Sequence, residues 1–218
     1  MSLTITLDQI LRLTPNARSS YREAFNSGQS IFDDSEISSS GLRIAHFMAQ
    51  VLHETSGLSM QFENLNYSPE RLPKVWPSRF LPKGPLDPAE YAHNPQKLAN
   101  EVYGGRMGNV EPDDGFKYRG RGLLQLTSKQ SYVEASKIVR KDFPDAPDFV
   151  TDPDQVISAK WCLQVAVSEW LAKGCNALAD QDNIKAVTRA INGGQIGIAE
   201  RTEWARKTKA VWLLAEVQ

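Results

Sequence analysis

The stretch GLRIAHFMAQVLHETSG, residues 41–57, decides how the chain is read. Ile44, Phe47, Met48, Val51 and Leu52 recur at three- and four-residue spacing and form one apolar stripe, the mark of a helix with a face in a core. Ser38, Ser39 or Ser40 can cap its start and Gly57 can close its end. The spacing therefore predicts a helix over residues 41–55 that runs out into a glycine turn. At about 100° per residue, Glu54 falls on the edge of the stripe near Phe47 and Val51. A carboxyl against an apolar wall holds its proton more tightly, because burial disfavours the ionised form. His53 falls on roughly the opposite side of the helix and is expected to be structural. His53-Glu54 begins like a zinc-protease motif, but Gly57 stands where the second histidine belongs, and no Cys/His spacing suits zinc.

On both sides of this helix most of the chain also reads as helical. Helices are expected at Leu7–Leu13, stopped by Pro15, and at Ala17–Ile31. Seven prolines (69, 73, 77, 82, 85, 88 and 95) then break residues 67–95 into an irregular flap, ordered by Trp76, Phe80 and Tyr91. Asn94-Pro95 starts a helix through Leu98 and Val102 that ends at Gly104-Gly105. A glycine-rich loop follows to Gly122, and Leu123–Thr127 reads as a short strand or a buried entry to the next helix. Further helices are expected at Ser128–Lys141, from Asp152-Pro153-Asp154 to Ala172, at Asn183–Ile191 and at Ile198–Leu214. With no internal repeat, low-complexity tract or flexible linker, residues 1–218 read as one domain, mainly α with at most a small β element.

Bulk composition narrows the classes. The chain has 25 basic and 26 acidic residues in 218 and a net charge of −1, which leaves no electrostatic footprint for nucleic acid and no global attraction to anionic membranes. The basic residues Arg189, Arg201, Arg206, Lys207 and Lys209 gather in the last third, so a local basic face stays open. Met1–Ile10 does not read as a secretory signal, and no apolar run approaches the roughly 20 residues that span a bilayer. The expectation is a protein kept in a cytoplasm unless another machine exports it, with Cys162 and Cys175 as buried thiols rather than a disulfide.

Glu54 is followed nine residues later by Glu63, beyond the Gly57 turn. Two carboxyl groups in different protonation states are what glycoside hydrolysis needs: one donates a proton to the leaving oxygen, and the other attacks the sugar or activates a water. Asn64 and Asn66 can keep Glu63 solvated and ionised. Taken alone the pair is unremarkable, and Glu70, Glu101 and Glu111 are equal candidates for the second carboxylate.

Three separated segments together resemble glycoside hydrolase family 19, the plant-type chitinase family. They are His53-Glu54-Thr55-Ser56-Gly57, Tyr118-Arg119-Gly120-Arg121-Gly122-Leu123-Leu124-Gln125-Leu126-Thr127, and Ile191-Asn192-Gly193-Gly194 followed by Arg201. The short gap to Glu63 and the continuation Glu63-Asn64-Leu65-Asn66-Tyr67 are similar to the phage endolysin branch rather than to the plant enzymes. The resemblance implies a lysozyme-like, two-lobed helical fold with a cleft, and inverting hydrolysis without metal or organic cofactor. It implies Glu54 as general acid, Glu63 as general base, and Thr127 as the hydroxyl that holds the attacking water. Carboxyls of an inverting pair stand roughly 6.5–9.5 Å apart. Gln125 and Asn192 would bond N-acetyl and hydroxyl groups of the substrate, and Arg201 would steady the network by charge-assisted hydrogen bonds.

Each residue also has a plainer reading. Gly120 and Gly122 can serve only a tight turn, Gln125 can satisfy buried backbone, Thr127 can cap the next helix, Asn192-Gly193-Gly194 can be a helix stop, and Arg201 can be a solvated surface residue. Trp76, Tyr103 and Tyr118 are candidates to stack on sugar rings, with core packing as the alternative. The motifs read features that chitin and peptidoglycan share. The lack of a secretion signal and of an appended carbohydrate-binding domain favours peptidoglycan. The expectation is a monomeric endolysin, held in a host bacterial cytoplasm until a membrane pore formed by a holin releases it. A chitinase and a non-catalytic cell-wall sugar-binding protein are the alternatives.

Overall fold

The computed structural model describes residues 2–213. In chain order its helices are α1 (Leu7–Leu13), α2 (Ser19–Asn26), α3 (Gln29–Asp34), α4 (Gly41–Glu54), α5 (Leu72–Val75), α6 (Pro95–Tyr103), α7 (Asp114–Lys117), α8 (Lys129–Asp142), α9 (Cys162–Ala172), α10 (Cys175–Asp180), α11 (Ile184–Asn192) and α12 (Ile198–Trp212). Among the described residues only isolated bridges occur, Phe80 with Leu86 and Arg106 with Asn109, so the fold is mainly α without a sheet. The chain divides into two compact units. The first is Met1–Gln61, Arg121–Gln125 and Val133–Gln218; the second is Phe62–Gly120 and Leu126–Tyr132.

The first unit is built around α4. Its stripe residues Ile44, Phe47, Met48, Val51 and Leu52 are all fully buried, each contributing about 1.5–3 kcal/mol by removal from water. Phe47 sets its ring edge-on to Trp170 of α9 and to Phe32 of α3. The other side of α4 is buried too. Ala45 and Ala49 are small enough for α12 to approach until the Thr208 hydroxyl donates to the Ala45 carbonyl at 2.8 Å. Polar side chains on that side are paired rather than solvated: His46 meets Asp182 at 2.8 Å, and Gln50 donates to the Thr188 hydroxyl at 3.2 Å.

The second unit has its own core of Leu65, Leu72, Phe80, Leu98, Ala99 and Val102. The proline-rich flap is ordered as expected, with Tyr67 edge-on to Trp76 and Phe80 edge-on to Tyr91. Asn94 caps α6 by accepting from the Lys97 amide at 3.1 Å.

Several expected elements are corrected. The single helix over Ala17–Ile31 is two, broken at Ser27-Gly28. A Cβ on Gly28 would lie 2.3 Å from Leu163 and 2.8 Å from the Ala24 carbonyl, so α9 sits where a side chain would be. The helix expected from Asp152 is a 3-10 turn at Pro153–Ile157, an extended Ser158, and then α9. Leu123–Thr127 is not a strand: Gly122, Gln125 and Ser128 have φ of 80°, 52° and 79°, and the segment turns repeatedly. α8 starts at Lys129, which puts Ser128 rather than Thr127 immediately before its first residue. The loop over 104–122 contains α7, where Gly115 lies so close to α6 that a Cβ would be 2.5 Å from the Ala99 carbonyl. The six-residue α10 carries no sequence signal long enough to read. Leu214, the expected end of the last helix, lies outside the described residues. Cys162 and Cys175 are free and buried, and burial pushes both thiols up to about 12.

Gly28→Ala should destabilise the protein by about 1–3 kcal/mol, because the added methyl overpacks the junction of α2, α3 and α9. Urea unfolding measures it, and a midpoint equal to that of the wild type would show that the helix break does not depend on this contact.

Candidate active site

In the first unit, α4 ends at Glu54 and the chain turns sharply. Thr55 ties the turn to the helix: its hydroxyl donates to the Val51 carbonyl at 2.6 Å and accepts from the Leu58 amide at 2.8 Å. Ser56, Gly57 and Leu58 all have positive φ, and Leu58 returns fully buried to the core. Glu54 is thereby fixed at the end of a rigid helix with its side chain 17% exposed.

The segment between α11 and α12 is folded on Asn192. Its side-chain amide donates to the Ile196 carbonyl at 3.2 Å, and its oxygen accepts from the Gly194 amide at 2.8 Å. Gly197 then opens α12 at φ 72°, and a Cβ there would stand 2.4 Å from the His53 ring. His53 is thus a packing residue against which the start of α12 rests. That contact sets Arg201, in the first turn of α12, beside α4. Arg201 is 2% exposed, which excludes the solvated reading. Its guanidinium donates from Nε to the Ile196 carbonyl at 3.2 Å, from Nη1 to Gln50, and from Nη2 to Glu54 Oε1. The partner of Glu54 is therefore a cation, not the purely apolar wall expected from the helical stripe. Among the described residues no hydrogen bond engages Glu54 Oε2. Gln125, also in this unit, donates to the Gly122 carbonyl at 3.1 Å and so satisfies backbone in its own turn.

In the second unit, Glu63 is tied through its backbone amide to the Gly120 carbonyl at 2.9 Å. The hydroxyl of Tyr103, at the end of α6, donates to Glu63 Oε1 at 2.5 Å. Oε2 is sealed from solvent and, among the described residues, has no hydrogen-bonding partner. Burial raises the Tyr103 hydroxyl well above its ordinary range, and the neighbouring Glu63 charge adds to this; Tyr67 is raised by the same two causes. Asn64 and Asn66 do not solvate Glu63 as expected: Asn64 accepts from the Asn66 amide at 2.9 Å, and Asn66 pairs with His93 at 2.9 Å. Tyr118 is corrected as a sugar platform. It is 1% exposed, with its ring against Tyr132 at 5.3 Å and the ammonium groups of Lys117 and Lys129 over it, so no face is free for a sugar. Thr127 is half-buried in this unit. Among the described residues no group of three or more His, Cys, Asp or Glu is placed to hold a metal ion.

A protein of Haemophilus influenzae described as a glycosyl hydrolase family 19 domain-containing protein is 37% identical over 164 residues, 74% of this chain and 76% of that protein. The chain belongs to glycoside hydrolase family 19. Among solved structures, a bacterial family 19 chitinase superposes with a TM-score of 0.59 at 18% identity, covering 95% of this chain and 94% of the other. Chitinase C from Streptomyces griseus HUT6037 gives 0.57 at 16% identity, covering 95% and 76%. No family model matches the chain. The family 19 chain is a glycoside hydrolase with the lysozyme-like, mainly helical fold. Two side chains at its carboxyl groups escaped the sequence reading. Gln50 had a signal, as a polar residue one turn before Glu54 on the same helix. Tyr103 had none beyond being an aromatic at a helix end, because 40 residues separate it from Glu63.

Arg201→Met should cost about 3–5 kcal/mol in urea unfolding, since it strands a partly buried carboxylate and leaves Gln50 and the Ile196 carbonyl without their donor. A second expectation concerns pH. Burial, and then the Arg201 charge, hold His53 below its ordinary value of 6.5, against the opposing pull of Glu54 and Glu200. Above about pH 6.5 both folded and unfolded states carry a neutral ring; below it the unfolded state takes up the proton first, so stability falls with falling pH. His53→Asn should flatten that part of the stability curve between about pH 6.5 and 5, and an unaltered slope would remove His53 from the linkage.

Proposed function

We propose that this family 19 hydrolase is an endolysin that cleaves β-1,4 glycosidic bonds of bacterial peptidoglycan with inversion, lysing a host cell once a separate pore-forming protein has released it. The observation that carries the reading is the contrast between its two carboxyl groups. Glu54 is held through one oxygen by a buried guanidinium, which leaves Oε2 to carry the proton that goes to the leaving glycosidic oxygen. Glu63 is held through Oε1 by a phenol, and its Oε2 is an acceptor with no protein donor. A buried carboxylate oxygen in that state is costly, and in the proposed reaction the attacking water, admitted with the substrate, is the donor that meets it.

In this mechanism Glu63 takes a proton from the water as its oxygen attacks the anomeric carbon, and Glu54 protonates the departing sugar on the opposite face. Thr127 lends its hydroxyl to the attacking water, and Gln125 and Asn192 bond N-acetyl and hydroxyl groups of the sugar. Arg201 keeps Glu54 in one rotamer throughout. The peptidoglycan assignment is supported by the nine-residue step from Glu54 to Glu63 and its continuation through Tyr67, the features that resemble the lysin branch. A second reading, hydrolysis of chitin, is favoured by the chitinases among the structural neighbours.

Purified peptidoglycan and chitin oligomers, digested side by side, separate the two. Release of muropeptides is expected, and cleavage of chitin alone would overturn the endolysin assignment. Glu54→Gln should lower the rate by about 10²–10⁴-fold while the circular dichroism spectrum is kept. Undiminished hydrolysis by this variant would remove Glu54 from the chemistry and leave a sugar-binding role open.

A further inference from the structure

The first unit holds a cleft of about 300 Å³ lined by residues of α3, of the end of α8 and of α9. Asp34 is the last residue of α3, Asp142 is the last residue of α8, and both line the cleft. Both are exposed and so stand at its mouth. A carboxylate at a helix C-terminus meets the partial negative charge of the end carbonyls and is disfavoured there. Asp180, which closes α10, is relieved by Arg43 at 2.7 Å. Among the described residues Asp34 and Asp142 have no ion pair or hydrogen bond of that kind. The walls are apolar, formed by Ile31, Phe143, Val167 and Leu171. Ser168 lies deeper, 3% exposed. A buried hydroxyl in a helix ordinarily turns back to a carbonyl of the preceding turn, as Thr208 does to Trp204 at 2.9 Å. Among the described residues the Ser168 hydroxyl has no partner, and the cleft is the opening that it lines. A buried polar group left unpaired is costly, so this hydroxyl calls for a ligand.

We propose that this cleft is a second binding site, for a small organic cation: an ammonium at the mouth beside Asp34 and Asp142, an apolar stem along the walls, and a neutral polar end on Ser168. The cation answers two carboxylates that nothing else in the unit relieves. The stem matches the walls, which would otherwise face water. The inner end is neutral because a charge placed there would leave water with a hydroxyl as its only partner. The same order of groups argues against a lysine side chain of a peptide, which carries its ammonium at the tip and would bring the charge to the inner end. The cleft is also small, at the lower limit of ordinary ligand sites, and suits a short molecule rather than a segment of polymer. None of these residues takes part in the hydrolysis, and the site does not depend on which glycan is cut.

The test is titration of the full-length, ¹⁵N-labelled protein with three probes of one length: an α,ω-aminopentanol, pentylamine, which lacks the hydroxyl, and pentanediol, which lacks the charge. Aminopentanol should give saturable shifts of the Phe143, Ser168 and Leu171 amides, with a Kd on the order of millimolar. Pentanediol should bind about tenfold more weakly and pentylamine about threefold more weakly. Asp34→Asn combined with Asp142→Asn should cost aminopentanol about tenfold and leave pentanediol unchanged. Ser168→Ala should bring aminopentanol down to the affinity of pentylamine and leave pentylamine itself unchanged. The two aspartates are exposed and alanine favours a helix, so these variants keep the fold, which circular dichroism checks. Absence of a saturable shift at these three amides would sink the proposal. So would equal binding of pentanediol, or an Asn variant that binds aminopentanol as the wild type does. A lysine-containing peptide with blocked ends is the last probe: it should not compete, and displacement of aminopentanol by it would overturn the assignment of the inner end.

Discussion

The buried guanidinium of Arg201 is the constraint around which the first unit is arranged. A charge that is 2% exposed is tolerated only when it is paired and its donors are met. Gln50, Glu54 and the Ile196 carbonyl meet them, and each has to be delivered to the right place. Delivery explains sequence features that otherwise look unrelated. Ala45 and Ala49 let α12 close on α4; Gly197 makes room for the His53 ring; Asn192 folds its own turn so that the Ile196 carbonyl points at Arg201. A larger side chain at position 197 would push the start of α12 from His53 and draw Arg201 off its partners.

The second unit holds its carboxyl group by a different chemistry. Tyr103 is a neutral donor, raised by burial and by the Glu63 charge, so it keeps its proton while it orients Glu63. A cation in that place would satisfy the carboxylate and dull it as a base. A phenol fixes one oxygen by a hydrogen bond without placing a charge beside the carboxylate. The guanidinium at Glu54 and the phenol at Glu63 are thus not interchangeable fixtures.

How much of this the sequence revealed depended on whether the cause was local. The helix over residues 41–54 was legible because its apolar period is unbroken, and α6 because Asn94-Pro95 starts it and Gly104 stops it. The break at Gly28 was not, because beside the Ala24 carbonyl the group that crowds a side chain there is Leu163, 135 residues later. Leu123, Leu124 and Leu126 looked like a strand because they are apolar and close together. Each does reach a buried position, but through turns at Gly122 and Gln125 rather than by alternation. Gly115 lay within an expected glycine-rich loop and is a packing contact between two helices. At the site, Glu54 was legible from its place at a helix end, and Arg201 only through family resemblance. The bond from Tyr103 to Glu63 was invisible because it joins a helix terminus to a residue 40 positions earlier with no pattern linking them.

The functional side chains cluster at helix termini for a physical reason. Glu54 closes α4, Asn192 closes α11, Tyr103 closes α6 and Arg201 stands in the first turn of α12. Helix ends leave backbone groups unsatisfied, and polar side chains gather there to meet them. Lys173 on the Ile191 carbonyl, in the last turn of α11, is such a contact, and Arg201 adds one to the Ile196 carbonyl in the loop before α12. The two members of the central ion pair stand at the wrong ends of their helices. A negative charge at the C-terminus of α4 and a positive charge at the N-terminus of α12 each oppose the local dipole by about 0.3–1 kcal/mol. Neither placement is favourable alone. The ion pair between Glu54 and Arg201, made where the two helix ends meet, offsets both unfavourable placements. Removing either member therefore leaves the other in a placement that its own helix disfavours, so the two side chains hold each other in position.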